Sequence, residues 1–296
     1  MITSRCNLSC SYCVLEDSKE QLKRELPLEL KKELINHLYS NLNFRSLTIS
    51  GGEPMLIGKN KPKDFLNLLE FLKQYKSDEI NKNLYIHLYT NAILLTPEVA
   101  KKMDGVVDEV SINIDGYSDE ILRSVGRTVN KRDYLENFIN AITLLNAKNI
   151  QVKLHTVLSQ PNITVISDEV ISIYKIIKDN NIDLKVWKFY QYMSYDSDKV
   201  DKAHIINNQQ FNNVKREIIN NIGQKGIQLY FKDNNEMNNS LFNILPYGNA
   251  QYMEGNDTWS TTKRTEILLN YSSIEDLFSK NKINRELFER FHTLEI

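Results

Sequence analysis

Apolar residues recur in two alternating periods along the first 190 positions. Short β-branched and aromatic runs predict strands over 46–50, 84–90, 109–114, 150–158 and 184–190, with a short first strand at 1–3. Between them, apolar residues at three- and four-residue spacing predict helices over 27–41, 62–75, 96–102, 131–146 and 164–178. In the first of these, Leu28, Leu30, Leu34, Ile35 and Leu38 make one stripe, and Pro27 stands where a missing N–H costs nothing. Strand and helix alternating in this way is the pattern of a parallel α/β sheet, and six strands fit a partial (β/α)6 barrel of the TIM type.

From about Asn207 the pattern becomes Asn-rich and irregular, as in Asn207-Asn208-Gln209-Gln210 and Asn234-Asn235-Glu236-Met237-Asn238-Asn239. Phe231, Leu241, Phe242, Ile244, Leu245, Leu268, Leu277 and Phe278 still supply side chains to bury, which argues against a disordered tail. The expected organisation is a core over 1–190 and an extension over 191–296 that packs across the barrel mouth and contributes to the substrate site.

Composition narrows the picture only a little. The chain has 296 residues, 41% of them hydrophobic, and no 18-residue apolar run, so a membrane span is not expected. A formal net charge of −1 provides no global field for a nucleic-acid polymer or a membrane surface, so an anion site must be built from local residues. There are three cysteines, all within the first thirteen residues, so a disulfide framework is not expected. No apolar signal segment opens the chain, and the expected location is the cytoplasm.

Those cysteines, Cys6, Cys10 and Cys13, stand in Arg5-Cys6-Asn7-Leu8-Ser9-Cys10-Ser11-Tyr12-Cys13. Three thiolates on one tight loop can each hold one iron of a cubane [4Fe–4S] cluster and leave the fourth iron open for chemistry. The alternative is structural zinc, which wants a fourth ligand; no further Cys or His follows before His37. A second motif, Ser50-Gly51-Gly52-Glu53-Pro54, follows a predicted strand directly, where a glycine pair permits close approach to the backbone.

The C-x-x-x-C-x-aromatic-C spacing and the Gly-Gly-Glu-Pro turn resemble the signatures of radical S-adenosylmethionine (SAM) enzymes. The resemblance implies a [4Fe–4S] cluster on Cys6, Cys10 and Cys13. It implies SAM held by Gly51, Gly52 and Glu53, with Asn91, Asn113 and Asp115 at later strand ends serving its ribose and methionine parts. Tyr12 would pack beside the adenine, and Arg127 would clamp the SAM carboxylate. Taken singly, each Asn or Asp is as readily an ordinary turn former. Enzymes with auxiliary clusters, including most peptide-maturing relatives, are disfavoured because no cysteine follows Cys13.

Further runs resemble viperin and its prokaryotic relatives, antiviral enzymes that dehydrate a ribonucleoside triphosphate to a 3′-deoxy-3′,4′-didehydro product. These are Ile112-Asn113-Ile114-Asp115 with Gly126-Arg127, Val152-Lys153-Leu154-His155-Thr156-Val157-Leu158, Val186-Trp187-Lys188-Phe189-Tyr190-Gln191 and Asp233-Asn234-Asn235-Glu236-Met237. The likeness implies a triphosphate met by Arg127, Lys153 and Lys188, with Arg290 as a further contact. Inward lysines on neighbouring strands would otherwise be costly. It also implies loss of the ribose 4′ hydrogen, departure of the 3′ hydroxyl as water, and an electron donor such as flavodoxin or ferredoxin. His155 is a candidate proton source, because an unperturbed imidazole titrates near neutrality; a buried structural histidine is the competing reading. The chain departs from that pattern at Ser46, at His155, at Val186 and near Ser240, where Leu241 and Phe242 stand in place of a Tyr, and its first strand is short. Other readings are a radical SAM enzyme for a peptide, sugar or lipid, and a non-enzymatic iron–sulfur protein.

Overall fold

A computed structural model describes residues 1–17, 25–128, 134–194, 198–238, 242–252 and 263–292. Its centre is a six-stranded parallel sheet in the order β1-β2-β3-β4-β5-β6: β1 Ser46–Ile49, β2 Tyr85–Thr90, β3 Glu109–Asn113, β4 Gln151–Leu158, β5 Val186–Gln191 and β6 Gln228–Lys232. The helices are, in chain order, α1 Val14–Asp17, α2 Leu28–Ser40, α3 Lys63–Leu72, α4 Pro97–Met103, α5 Asp119–Ser124, α6 Tyr134–Asn146, α7 Ile166–Asp179, α8 Asp198–His204, α9 Asn208–Ile222, α10 Asn234–Asn238, α11 Ile274–Asn281 and α12 Arg285–His292. Parallel neighbours need a crossover, and α3 to α9 supply it for each successive pair of strands. The sheet does not close; it is the expected partial barrel with β1 and β6 as its ends.

Alternation along the strands sets the two faces. In β2, Ile86, Leu88 and Thr90 are buried on the helix side, while Tyr85, His87 and Tyr89 point the other way into the barrel. The helix layer completes one continuous core through Phe65 and Leu69 of α3, Met103 of α4, Phe138 and Leu145 of α6, Ile173 of α7 and Ile218 of α9. Trp187 and Phe189 of β5 and Phe231 of β6 stack in sequence within this layer.

Two expectations change. The segment at 1–3 contributes a single bridge, Thr3 to Gly51, rather than a strand. The sixth strand is β6, so the sheet runs past residue 190. The Asn-rich stretch before β6 folds as α9, which buries Phe211, Val214, Ile218 and Ile222 on one face. Asn207 and Gln210 close its first turn reciprocally, at 2.8 and 2.9 Å.

The rest of the C-terminal part forms a small antiparallel sheet, β7 Phe242–Ile244, β8 Asn249–Tyr252 and β9 Lys263–Ile267. Its apolar side packs with α11 onto Leu34, Leu38 and Leu42 in and beyond α2, and Leu245 meets Leu15 just behind the cysteine loop. After β6, α10 reaches the end of β5, where the Asn234 N–H donates to Gln191 Oε1 at 3.1 Å. Among the described residues no helix is long and apolar enough to cross a membrane.

Candidate active site

The cysteine loop lies between the Thr3 bridge and α1. Its turn is closed by the Cys13 N–H on Cys10 O at 3.0 Å, and Cys6 Sγ accepts the Leu8 N–H at 3.4 Å. None of the three cysteines is in a disulfide, and burial pushes Cys10 up to about 12 against the pull of Arg127. A thiolate in such a place needs a bound cation to persist. Among the described residues no three Cys, His, Asp or Glu side chains converge on a single ion. Three thiols carried by one closed loop are the donor set that a cluster takes, one sulfur to each of three irons, so the residues present fit it.

The loop is pinned from β3. Arg127 is 4% exposed and its Nε donates to Asp115; its other nitrogens donate to the Tyr12 hydroxyl and, at 3.2 Å, to the Tyr134 hydroxyl. The Tyr12 hydroxyl donates in turn to Asp115 at 2.6 Å, and the Val157 N–H fills the other Asp115 oxygen at 2.8 Å. The Ser11 N–H donates to Val125 O, and Gly126, at φ +75°, packs so closely that a Cβ there would stand 2.3 Å from Ser9 O. Arg127, Asp115 and the Tyr12 hydroxyl thus form a buried clamp on the cysteine loop, beside the roles toward SAM and triphosphate expected of them.

The glycine pair also serves the chain itself. A Cβ on Gly51 would meet Thr3 O at 2.3 Å and one on Gly52 would meet Arg5 O at 2.3 Å, so the close approach there is by the stem of the cysteine loop. Glu53 follows, fully buried. It accepts from Met55 N at 3.2 Å, from Thr90 Oγ1 at 2.9 Å and from Asn91 N at 2.8 Å, while burial pushes its pKa up to about 7. The Asn91 amide bridges onward, donating to Asn7 Oδ1 at 2.8 Å and to Cys6 Sγ at 3.7 Å. Glu53, Asn91 and Cys6 are therefore one connected unit, and a buried carboxylate of raised pKa suits an ammonium ligand such as the SAM amino group.

Deeper on the inner face stand Asn113, Lys153, His155 and Lys188. Asn113 pairs in register with His155, and His155 with Lys188. Lys153 is ion-paired to Glu109 at 2.6 Å, so the expected need for an external anion is met inside the fold. His155 is 3% exposed, with Nε2 3.2 Å from Ser111 Oγ and its ring edge-on to Tyr89 and Tyr190. Burial, helped by His87, Lys188, Lys153 and Lys232, holds its pKa well below the usual histidine range. These surroundings are those of a buried, hydrogen-bonded histidine, beside the proton-source role expected of it. Lys188 lies over the Tyr230 ring at 5.5 Å. Arg45, beside Ser46, is turned outward onto Asn81 O and Tyr39 O, both at 2.8 Å. The Arg290 side chain and Leu241 lie outside the described residues.

Sequence reasoning missed Tyr85, His87, Tyr89, Glu109, Ser111 and Lys232. The alternation Tyr85, His87, Tyr89 against Ile86, Leu88, Thr90 was the available signal for an inward polar row.

Residues 1–181 match the family model of the radical SAM superfamily. GTP 3′,8-cyclase of Staphylococcus carnosus is 26% identical over 194 residues, covering 64% of this chain and 52% of the cyclase. The cysteine-type anaerobic sulfatase-maturating enzyme of Clostridium novyi is 27% identical over 184 residues, covering 60% of this chain and 46% of that enzyme. The chain thus spans about half the length of these curated relatives. The structure of anSMEcpe with bound AdoMet matches with a TM-score of 0.69 at 16% identity, over 99% of this chain and 82% of that one. Streptococcus suis SuiB bound to S-adenosylmethionine matches with a TM-score of 0.55 at 13% identity, over 78% and 45%. A match that takes in both the cysteine loop and the turn at 51–54 makes the chain a member of the radical SAM superfamily, whose enzymes carry a [4Fe–4S] cluster and S-adenosylmethionine.

Proposed function

We propose that this radical SAM enzyme dehydrates a ribonucleoside triphosphate to its 3′-deoxy-3′,4′-didehydro analogue, a viperin-like reaction whose product would act in antiviral defence. The observation that carries the reading is the placing of Lys188 and Lys232 beside His155 on the inner face, both near enough to bear on its charge. An anionic substrate is what such a face attracts. The relative named for GTP adds weight to a nucleotide.

The cluster and SAM, when bound, supply the hydrogen-abstracting radical. Everything else falls to the chain. Cys6, Cys10 and Cys13 would hold the cluster, Glu53 the SAM amino group, and Gly51, Gly52, Asn91 and Asn113 the rest of SAM. Arg127 and Tyr12 act at one remove, by fixing the loop. Tyr89, His155 and Tyr190 line up edge to face beside the lysines; such a wall would hold the ribose against one direction of attack and exclude water. Residues 191–296 would complete the site through α10, beside the end of β5, and a flavodoxin or ferredoxin would supply the electron.

The test is anaerobic reconstitution followed by incubation with SAM, dithionite and each of the four ribonucleoside triphosphates, with mass analysis. One triphosphate should stimulate 5′-deoxyadenosine formation and lose one water. The clostridial relative favours a second reading, a peptide substrate; stimulation by peptides and by no nucleotide would select it.

A further inference from the structure

We propose that Glu109 is a built-in counter-anion that sets how much phosphate charge the barrel interior accepts. The inference rests on the reading that a phosphate-bearing substrate enters this face. Glu109 opens β3, and its side chain is 3% exposed. Lys153 Nζ stands 2.6 Å from Oε2, the Tyr85 hydroxyl donates to the same oxygen at 3.3 Å, and His87 Nε2 lies 3.1 Å from Oε1. Groups from β2 and β4 thus fix the β3 carboxylate in place.

A phosphate drawn toward Lys153 meets this carboxylate at almost the same distance, so attraction and repulsion largely cancel. The Lys153–Glu109 pair then contributes little to anion affinity, although the position of Lys153 on the inner face suggests otherwise. Glu109 is on this account a specificity-determining residue: it disfavours a phosphate chain long enough to reach the start of β3 and β4, and favours substrates whose charge ends nearer the strand termini.

The probe is inorganic tripolyphosphate, titrated calorimetrically into the reconstituted protein. Glu109→Gln should bind it about tenfold more tightly or better, because Lys153 becomes available to form a charge-assisted contact. Lys153→Ala alone leaves the Glu109 carboxylate uncompensated and should weaken binding by about tenfold, and in the Glu109→Gln background it should cancel the gain. Unchanged affinity in Glu109→Gln, unchanged affinity in Lys153→Ala alone, or no tripolyphosphate binding by any variant would overturn the proposal. Should Glu109→Gln fail to fold by circular dichroism, Glu109→Gln combined with Lys153→Met removes both charges and should bind as the parent does; a tenfold loss there contradicts the proposal. Because the probe has no ribose, tighter binding by Glu109→Gln with no nucleotide turnover would leave this inference standing and remove the dehydratase reading.

Discussion

The guanidinium of Arg127 is buried against the carboxylate of Asp115, and through that pair β3 holds the loop that carries Cys6, Cys10 and Cys13. Both side chains are almost completely withdrawn from water, so each is costly without the other. Arg127→Ala should lower unfolding stability by about 3–5 kcal/mol and reduce iron loading. Chemical denaturation and iron analysis check both; a loss below about 1 kcal/mol would contradict the clamp.

The cysteines themselves should behave differently. Cys6→Ala, Cys10→Ala and Cys13→Ala remove cluster ligands and leave the sheet untouched, so each variant should keep its circular dichroism spectrum while losing the iron–sulfur absorbance and all SAM cleavage.

Glu53 connects two functions, closing the turn after the glycine pair and presenting a buried carboxylate. Glu53→Gln keeps the shape but cannot match an ammonium. SAM affinity should fall by about tenfold or more, with the oxidised cluster still assembled. Equal affinity in equilibrium binding would remove Glu53 from the SAM site.

Acid should destabilise the fold early. Burial, then Lys153 and Lys188, hold His87 down at about 3, and burial foremost holds His155 well below its ordinary range. Both folded pKa values are depressed, so the unfolded chain takes up protons first. Their stabilisation is fully present above about pH 6.5 and is lost as pH falls toward the folded values, at about 1.4 kcal/mol per pH unit for each histidine. Denaturation midpoints between pH 7 and 5 should show this slope, and His87→Gln should make it shallower; a flat profile in the parent would contradict it.

Much of the core was legible because its signals are local. Alternation gave five strands, the three-and-four spacing gave the helices between them, and cysteine spacing with the Gly-Gly-Glu-Pro turn gave the family. Where composition spoke louder than pattern the reading failed. The Asn content of 207–222 hid the stripe Phe211, Val214, Ile218, Ile222, and with it α9 and β6, although Asn207 and Gln210 already formed a helix-start signal. The partners of Arg127 and Lys153 were out of reach for another reason. Asp115 meets Arg127 across the whole of α5, and Glu109 meets Lys153 diagonally between strands, which depends on the register that sets Ser111 opposite Lys153.

Lys188, opposite His155 and over Tyr230, is the lysine expected to matter most to the nucleotide. Lys188→Ala should raise the triphosphate dissociation constant by about tenfold and leave SAM binding within about threefold. Titration in the presence of a SAM analogue checks this; unchanged nucleotide affinity would shift the account toward a peptide substrate.

The most direct test of the central claim is the anaerobic turnover of the reconstituted enzyme with SAM, dithionite and each ribonucleoside triphosphate, following 5′-deoxyadenosine and the nucleotide mass together. The account predicts that one triphosphate yields 5′-deoxyadenosine and a product lighter by one water, in equal amounts. Deoxyadenosine formed at the same rate with and without every nucleotide, and no dehydrated product, would contradict it.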